Sequence, residues 1–156
     1  LSLHDALPIL TKRATSIFTA HEPQLAIAEF LSTGGYDRHL KRLRASLRDN
    51  AERVLQRVQE TFPAGCRVTN PGGGYVLWVE LPRRIDAVEL FHRARAQNIV
   101  IAPGPLFSMS SRYDNFVRIS FGEPWSPALD RAIATVGQLA GGLLMSGASG
   151  RGRSRR

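Results

Sequence analysis

The chain has 156 residues, of which 43% are hydrophobic and 22% are charged, the composition of about one ordinary globular domain. No apolar run approaches the roughly 20 residues that cross a bilayer, and the single cysteine, Cys66, excludes an internal disulfide and a cysteine-rich zinc site. We therefore expect a cytoplasmic protein with no membrane partner.

Both ends of the chain differ from its middle. The net charge is +8, but four arginines and no acid lie in residues 141–156, which leaves 17 bases against 13 acids elsewhere. Glycine and serine precede and separate these arginines, so we predict a flexible basic tail at 141–156. Residues 1–10 contain no lysine or arginine and resemble a translated sequencing adapter. We expect them to be a non-native leader, with the natural protein continuing upstream.

A short helix is predicted over residues 23–31, and a long one over 36–62, where apolar side chains recur every three or four positions up to Pro63. Arginines and Lys41 lie off this apolar stripe, with Glu52 and Glu60 among them. A solvated face is the favoured interpretation, and a DNA-contacting helix is the alternative.

Two more helices follow in the sequence. Asp86 is expected to cap the first, with Glu89 in the capping-box position, and this helix stops near residue 97. Pro127 opens the second, and the Gly141-Gly142 pair is expected to end it.

Strands are predicted at residues 66–69, 75–81, 99–101 and 116–121, the third of them short and buried. A glycine turn leads into the second strand, and the proline-rich loop at 102–105 is expected to be rigid. The small domain at 64–140 is therefore expected to be α+β, with helices packed on one small sheet and preceded by the long helix.

Arg118 is the principal candidate site residue. Strand alternation sends Phe116, Arg118 and Ser120 to one face, and Val117 and Ile119 to the other, which suits a core. A guanidinium in an otherwise apolar strand needs an anion, and a ligand carboxylate is the expected one. The alternative is an ordinary solvated or surface-paired arginine.

Gly73 and Gly74 are weaker candidates, since a glycine turn either lets the backbone bend or lets it approach a ligand closely. Other site types lack support in the sequence. The four histidines have no metal-ligand spacing, so no metal site is predicted, and neither a nucleophile elbow nor a Walker motif is present.

Five segments in order resemble the C-terminal part of class I/II aminotransferase-like proteins, and more narrowly the aminotransferase-like domain of MocR-type transcription regulators of the GntR superfamily. They are PQLAIAEFL at 23–31, GYDRHLKRLR at 35–44, GGYVLWVELP at 73–82, APGPLF at 102–107 and FVRIS at 116–120. The resemblance covers residues 11–140 and implies the small C-terminal domain of a fold type I protein that binds pyridoxal 5'-phosphate.

In such proteins the arginine that matches Arg118 binds the carboxylate of an amino-acid ligand, and the resemblance places Gly73, Gly74 and the loop at 102–107 beside that ligand. It also implies a homodimer. The lysine that holds the cofactor should precede residue 11, and neither Lys12 nor Lys41 matches it. We therefore expect this chain to be inactive as an enzyme by itself.

Two functions are consistent with this resemblance. In the first, the chain is part of the amino-acid- or amine-sensing domain of a regulator that binds DNA through a winged helix domain upstream. In the second, it is part of a catalytic aminotransferase that transfers an amino group from an amino acid to a 2-oxo acid. A basic module that binds nucleic acid through the long helix and the tail is the weakest alternative.

Overall fold

The computed structural model describes residues 3–16 and 20–149, which divide into two compact units, residues 1–43 and 44–156. The first unit contains helices α1 (Leu3–Thr15) and α2 (His21–Ser32) and the start of α3 (Gly35–Thr61). Helix α1 includes most of the segment that we predicted to be a leader, and the origin of that segment stays a prediction. The predicted long helix at 36–62 corresponds closely to α3.

The second unit is built on a four-stranded antiparallel sheet with the order β1-β2-β4-β3. The strands are β1 (Arg67–Val68), β2 (Val76–Glu80), β3 (Ala102–Pro103) and β4 (Phe116–Ser120). Helix α4 (Ala87–Arg95) lies between β2 and β3 in the sequence, and α5 (Pro127–Ser149) follows β4. The predicted α+β class, with helices packed on one small sheet, is confirmed.

One face of the sheet forms the core. Leu77 and Val79 of β2 and Val117 and Ile119 of β4 point to this face and are buried, as the alternation of the strands predicts. Helices α3, α4 and α5 cover them with further buried side chains, including Val54, Val58, Leu90, Ala94, Ile133, Val136 and Ala140. Full burial of each large aliphatic side chain contributes roughly 1.5 to 3 kcal/mol, so this face holds the sheet and the helices together.

The start of α4 agrees only in part with its predicted capping box. The Asp86 carboxylate accepts hydrogen bonds from the backbone N–H groups of Val88 and Glu89, at 2.7 and 3.2 Å, as an N-cap residue should. The Glu89 carboxylate does not complete the box, because it accepts a hydrogen bond from Arg93 Nε at 2.8 Å, one turn further along the helix.

The predicted buried strand at 99–101 is wrong. Asn98 adopts a positive φ of 60°, so the chain turns sharply after α4, and Val100 is 77% exposed. The strand starts later, where Ala102 pairs with Arg118, and the predicted rigid loop supplies β3 and a 3-10 helix, Gly104–Phe107. β-branched residues indicate strand propensity, but the register with β4 decides which residues pair.

The predicted end of the last helix at Gly141-Gly142 is also wrong, since α5 continues to Ser149. Glycine weakens a helix by only about 1 kcal/mol relative to alanine, whereas Leu139, Leu143 and Leu144 on both sides of the pair pack against the core. Packing therefore carries the helix through the glycines. Residues 141–149 are not the predicted flexible tail, and the arginines of that tail lie outside the described residues.

Candidate ligand-binding face

Arg118 lies in the middle of β4, with Trp78 opposite it on β2 and Ala102 opposite it on β3. Hydrogen bonds of 2.8 Å from Leu81 N to Asn115 O and from Phe121 N to Tyr75 O mark the alternate rungs of the β2–β4 ladder. The Trp78–Arg118 rung is therefore one without backbone hydrogen bonds, in which facing side chains approach most closely. Both side chains point away from the core.

The Arg118 guanidinium lies over an aromatic ring and is not paired with a carboxylate of a described residue. Its central carbon lies 4.2 Å from the centre of the Phe107 ring, within the range of a cation–π contact. The structure gives Arg118 no ion pair with any other residue that it describes. Its N–H groups are thus available to an anion that approaches the partly buried side chain.

Four aromatic side chains surround this position in a connected chain, which we name the aromatic face: Trp78, Phe107, Tyr113 and Phe116. Ring centres are 5.2 Å apart for the Trp78–Phe107 pair, 6.3 Å for Trp78–Tyr113 and 5.3 Å for Tyr113–Phe116. Sequence reasoning missed Trp78 and Tyr113 as site residues. Alternation along β2 places Trp78 on the face opposite Leu77 and Val79 and could have identified it, but Tyr113 is brought in by a loop.

The loop that carries Phe107 is held in place by a close backbone approach. A Cβ atom on Gly104 would overlap the carbonyl oxygen of Tyr113, so only glycine fits where the two 3-10 helices of this loop, Gly104–Phe107 and Ser111–Tyr113, meet. This contact fixes Phe107 and Tyr113 relative to each other.

Gly73 and Gly74 do not share a cavity with Arg118 among the cavities that the structure describes. They line a groove of about 520 Å³ together with Arg44 and Arg48 of α3. Gly74 has a φ of +86°, which accounts for glycine there, whereas a Cβ atom on Gly73 would have open space around it. The ligand role of both glycines stays a prediction.

Helix α3 positions the end of β4 through a buried polar side chain. Asn50 is 5% exposed, and its Nδ2 donates hydrogen bonds to the carbonyl oxygens of Phe121 at 3.2 Å and of Glu123 at 2.9 Å. A second link joins α3 to α5, where Arg57 Nη2 donates to Asp130 Oδ2 at 3.1 Å and Arg57 Nε lies 3.0 Å from Oδ1. The latter approach is a close ion pair rather than an aligned hydrogen bond.

Cys66 and the two lysines offer little for covalent chemistry. Burial raises the pKa of the Cys66 thiol from its ordinary 9.0 to about 11, so the reactive thiolate is scarce at neutral pH. Lys12 and Lys41 lie exposed on α1 and α3 in the first unit.

Among the described residues no group of three or more histidine, cysteine or acidic side chains could hold a metal ion. None of the described helices has the length and apolar character of a membrane span.

Helices thus cover one face of the small antiparallel sheet, and Arg118 lies on the other face. The model of the family described as aminotransferase class I and II matches residues 5–136. The chain belongs to this family, and the predicted resemblance is confirmed.

Two bacterial relatives illustrate the two branches of the resemblance. An uncharacterized HTH-type transcriptional regulator of Escherichia coli, YdcR, is 35% identical over 125 residues, which cover 80% of this chain and 27% of the regulator. The 2-aminoadipate transaminase of Thermus thermophilus is 28% identical over 136 residues, which cover 87% of this chain and 34% of the enzyme. The chain thus spans about a third or less of either relative.

Solved structures agree with the fold. LysN, an α-aminoadipate aminotransferase from Thermus thermophilus crystallised with N-(5'-phosphopyridoxyl)-L-leucine, superposes with a TM-score of 0.77 at 28% identity, covering 90% of this chain and 36% of that chain. A multiple substrate aminotransferase from Thermococcus profundus superposes with a TM-score of 0.78 at 20% identity, over 88% of this chain and 34% of that chain, and supports the fold alone.

The family implies pyridoxal 5'-phosphate as a cofactor, but the residues of the second unit by themselves do not form a complete site for it. A covalent cofactor site needs a lysine held beside the ligand-binding groups. Residues 44–156, which include Arg118 and the aromatic face, contain no lysine. The second unit by itself therefore has no covalent anchor for the cofactor.

Proposed function

We propose that Arg118 binds the carboxylate of an amino-acid ligand in the complete protein. The observation that carries this proposal is a partly buried guanidinium on the open face of the sheet, stacked on Phe107 at 4.2 Å and without an ion pair among the described residues. A buried or half-buried charge without a partner costs free energy, so such a group is typical of a site that an anion completes.

The chemistry of the guanidinium suits a carboxylate. Its planar fork of donors forms two parallel, charge-assisted hydrogen bonds to the two oxygens, which a lysine ammonium cannot copy. The Phe107 ring restricts the guanidinium to fewer orientations, so less side-chain entropy is lost when the ligand binds.

We further infer that the complete protein is a transcription regulator whose aminotransferase-like domain senses an amino acid or amine. Two Escherichia coli relatives that are 35% and 34% identical, YdcR and YjiR, are named HTH-type transcriptional regulators, and this similarity supports the inference. In this proposal the complete protein holds pyridoxal 5'-phosphate and forms a homodimer. It binds DNA through a winged helix domain that precedes the present chain.

A catalytic aminotransferase is the second candidate. The match to the 2-aminoadipate transaminase, which covers 87% of this chain, supports it. In that case Arg118 holds the amino-acid donor by its carboxylate, and a lysine outside this chain moves the proton on the donor's α-carbon.

The two candidates differ in what the full-length protein does with an amino acid. A regulator changes its affinity for the DNA upstream of its own or a neighbouring gene when an amino acid is added, and shows no turnover. An enzyme converts an amino donor and a 2-oxo acid continuously and binds no specific DNA. A DNA-binding titration with and without amino acids, beside a transamination assay on the same preparation, decides between them. Turnover without DNA binding contradicts the regulator.

A further inference from the structure

We propose that the ligand held by Arg118 carries an aromatic or other large apolar side chain, and that this side chain packs on the aromatic face. This inference rests on the proposed function, because it names the class of carboxylate that the same site selects. It adds a specificity surface, with Trp78 and Phe107 as its central residues.

The register of the sheet places this surface within reach of a ligand on Arg118. Trp78 is the direct cross-strand neighbour of Arg118, and facing side chains on such a rung have Cβ atoms only about 4.5 to 5.5 Å apart. Phe107 contacts both of them, with its ring 4.2 Å from the Arg118 guanidinium carbon and 5.2 Å from the Trp78 ring. When a ligand binds Arg118 through its carboxylate, the rest of the ligand therefore lies beside two aromatic rings.

The rings are positioned to receive an apolar group. Phe107 is 44% exposed, and Trp78 and Tyr113 are half-buried, so none is enclosed in the core of the sheet. Trp78 meets Phe107 edge to face, at an interplanar angle of 83°, which leaves ring surface of each uncovered by the other. Exposed aromatic surface beside an unpartnered guanidinium matches a molecule with a carboxylate at one end and an apolar group at the other.

Few charged strand residues share the face with Arg118, and no cation among them lies close to it. The strand residues that share the face with Arg118 are Val76, Trp78, Glu80, Phe116, Ser120, Ala102 and Arg67. Of these only Arg67 is a cation, and it stands on the outer strand β1 beside Glu80, with 3.9 Å between Arg67 Nη1 and Glu80 Oε2. By strand spacing it is on the order of 10 Å from Arg118. A second carboxylate of a ligand packed on the Trp78 and Phe107 rings would be buried without a cation beside it, which is unfavourable. Arg112, whose guanidinium carbon lies 5.6 Å from the centre of the Tyr113 ring, is a cation that only a ligand extending as far as Tyr113 would reach.

The test is a calorimetric titration of the full-length protein with four probes: L-phenylalanine, L-alanine, L-glutamate and 2-phenylethylamine. We expect L-phenylalanine to bind at least about tenfold more tightly than L-alanine or L-glutamate, because it alone contacts the rings while keeping its carboxylate. Tighter binding of L-glutamate than of L-phenylalanine contradicts the inference, as does equal affinity for L-phenylalanine and L-alanine.

Variants of Trp78 test whether the preference for L-phenylalanine depends on the aromatic face. Trp78→Leu should lower the affinity for L-phenylalanine about five- to tenfold and change that for L-alanine less than about twofold, while Trp78→Phe should retain affinity for both within about threefold. Phe91→Leu removes an aromatic ring on α4, on the core side of the sheet, and should change neither affinity. An equal loss for both amino acids in Trp78→Leu, with folding verified by circular dichroism, overturns the specificity role.

A failure of the proposed function would look different. 2-Phenylethylamine has the ring and the amine of phenylalanine but no carboxylate. The difference between its affinity and that of L-phenylalanine therefore measures how strongly the carboxylate is recognised. If it binds as tightly as L-phenylalanine, the carboxylate is not recognised and the proposed role of Arg118 fails, whatever the ratio of L-phenylalanine to L-alanine. If it binds weakly and that ratio is near one, Arg118 binds carboxylates and only the aromatic face is contradicted as a specificity surface.

Discussion

The guanidinium carbon of Arg118 lies 4.2 Å from the centre of the Phe107 ring, so a residue of the loop after β3 orients a residue in the middle of β4. The loop itself is fixed where Gly104 meets the Tyr113 carbonyl. The geometry of the candidate site thus depends on the loop between β3 and β4 as well as on the strand that carries the charged group.

Phe107→Ala should weaken the binding of any carboxylate ligand, including L-alanine, because Arg118 loses the ring that orients it. A cation–π contact at a half-exposed site contributes about 0.5 to 2 kcal/mol, so we expect a loss of that size in a ligand titration of the full-length protein. Met109→Ala, at a fully exposed position that follows Phe107 in the loop, is the control and should bind normally. Equal behaviour of the two variants argues against the orienting role.

Gly104→Ala should destabilise the second unit more than Gly73→Ala does. At Gly104 the added methyl group overlaps the Tyr113 backbone, which must move, and overpacking of this kind costs about 1 to 3 kcal/mol. At Gly73 the methyl group meets nothing within 4 Å. Urea unfolding followed by tryptophan fluorescence measures both, and similar midpoints for the two variants contradict the close-approach account.

Asn50→Ala should lower the free energy of unfolding by about 1 to 3 kcal/mol, since it leaves the buried Phe121 carbonyl and the part-buried Glu123 carbonyl without their donor. Gln59→Ala on the same helix, at an exposed position, is the control and should lie within about 0.5 kcal/mol of wild type. A loss no larger than the control's in urea unfolding shows that Asn50 does not secure the end of β4.

Cys66 should react slowly with iodoacetamide. With its pKa raised to about 11, the folded protein holds about a hundredfold less thiolate at pH 8 than a thiol of pKa 9.0 does. Because the folded-state pKa is the higher one, the unfolded chain ionises first as the pH rises. The stabilising effect of the buried thiol is therefore complete below about pH 9 and is lost between about pH 9 and 11.

The matched variant is Cys66→Ser, which should lose less stability than wild type over the same pH interval. Lysine and tyrosine titrations are common to both proteins and cancel in the comparison. Alkylation of the folded protein at the rate of a free thiol contradicts the raised pKa.

Sequence patterns predicted the parts of this structure that depend on local periodicity. The alternation around Arg118 placed Val117 and Ile119 in the core and the arginine outside it, and the apolar repeat up to Pro63 gave the extent of α3 to within a residue. The family resemblance rested on the order of five sequence segments. It was therefore unaffected by errors in the predicted bounds of single helices and strands.

The parts that were missed depend on tertiary contacts. The end of α5 is set by leucines that pack around Gly141 and Gly142, and the start of β3 is set by its register with Arg118. Tyr113 reaches the aromatic face through a loop. From the sequence alone Asn50 looks like an exposed helix residue, because its hydrogen-bond acceptors, the carbonyl groups of Phe121 and Glu123, are far away along the chain. No pattern of apolar spacing contains this information.

The most direct test of the central claim is a ligand titration of the Arg118→Ala variant of the full-length protein, with L-phenylalanine as the probe and Arg131→Ala, an exposed arginine on α5, as the control. Loss of one partner of a desolvated charge pair predicts weakening by about 2 to 5 kcal/mol for Arg118→Ala and no change for the control. Binding of L-phenylalanine to Arg118→Ala with wild-type affinity would contradict the assignment of this guanidinium as the carboxylate-binding group.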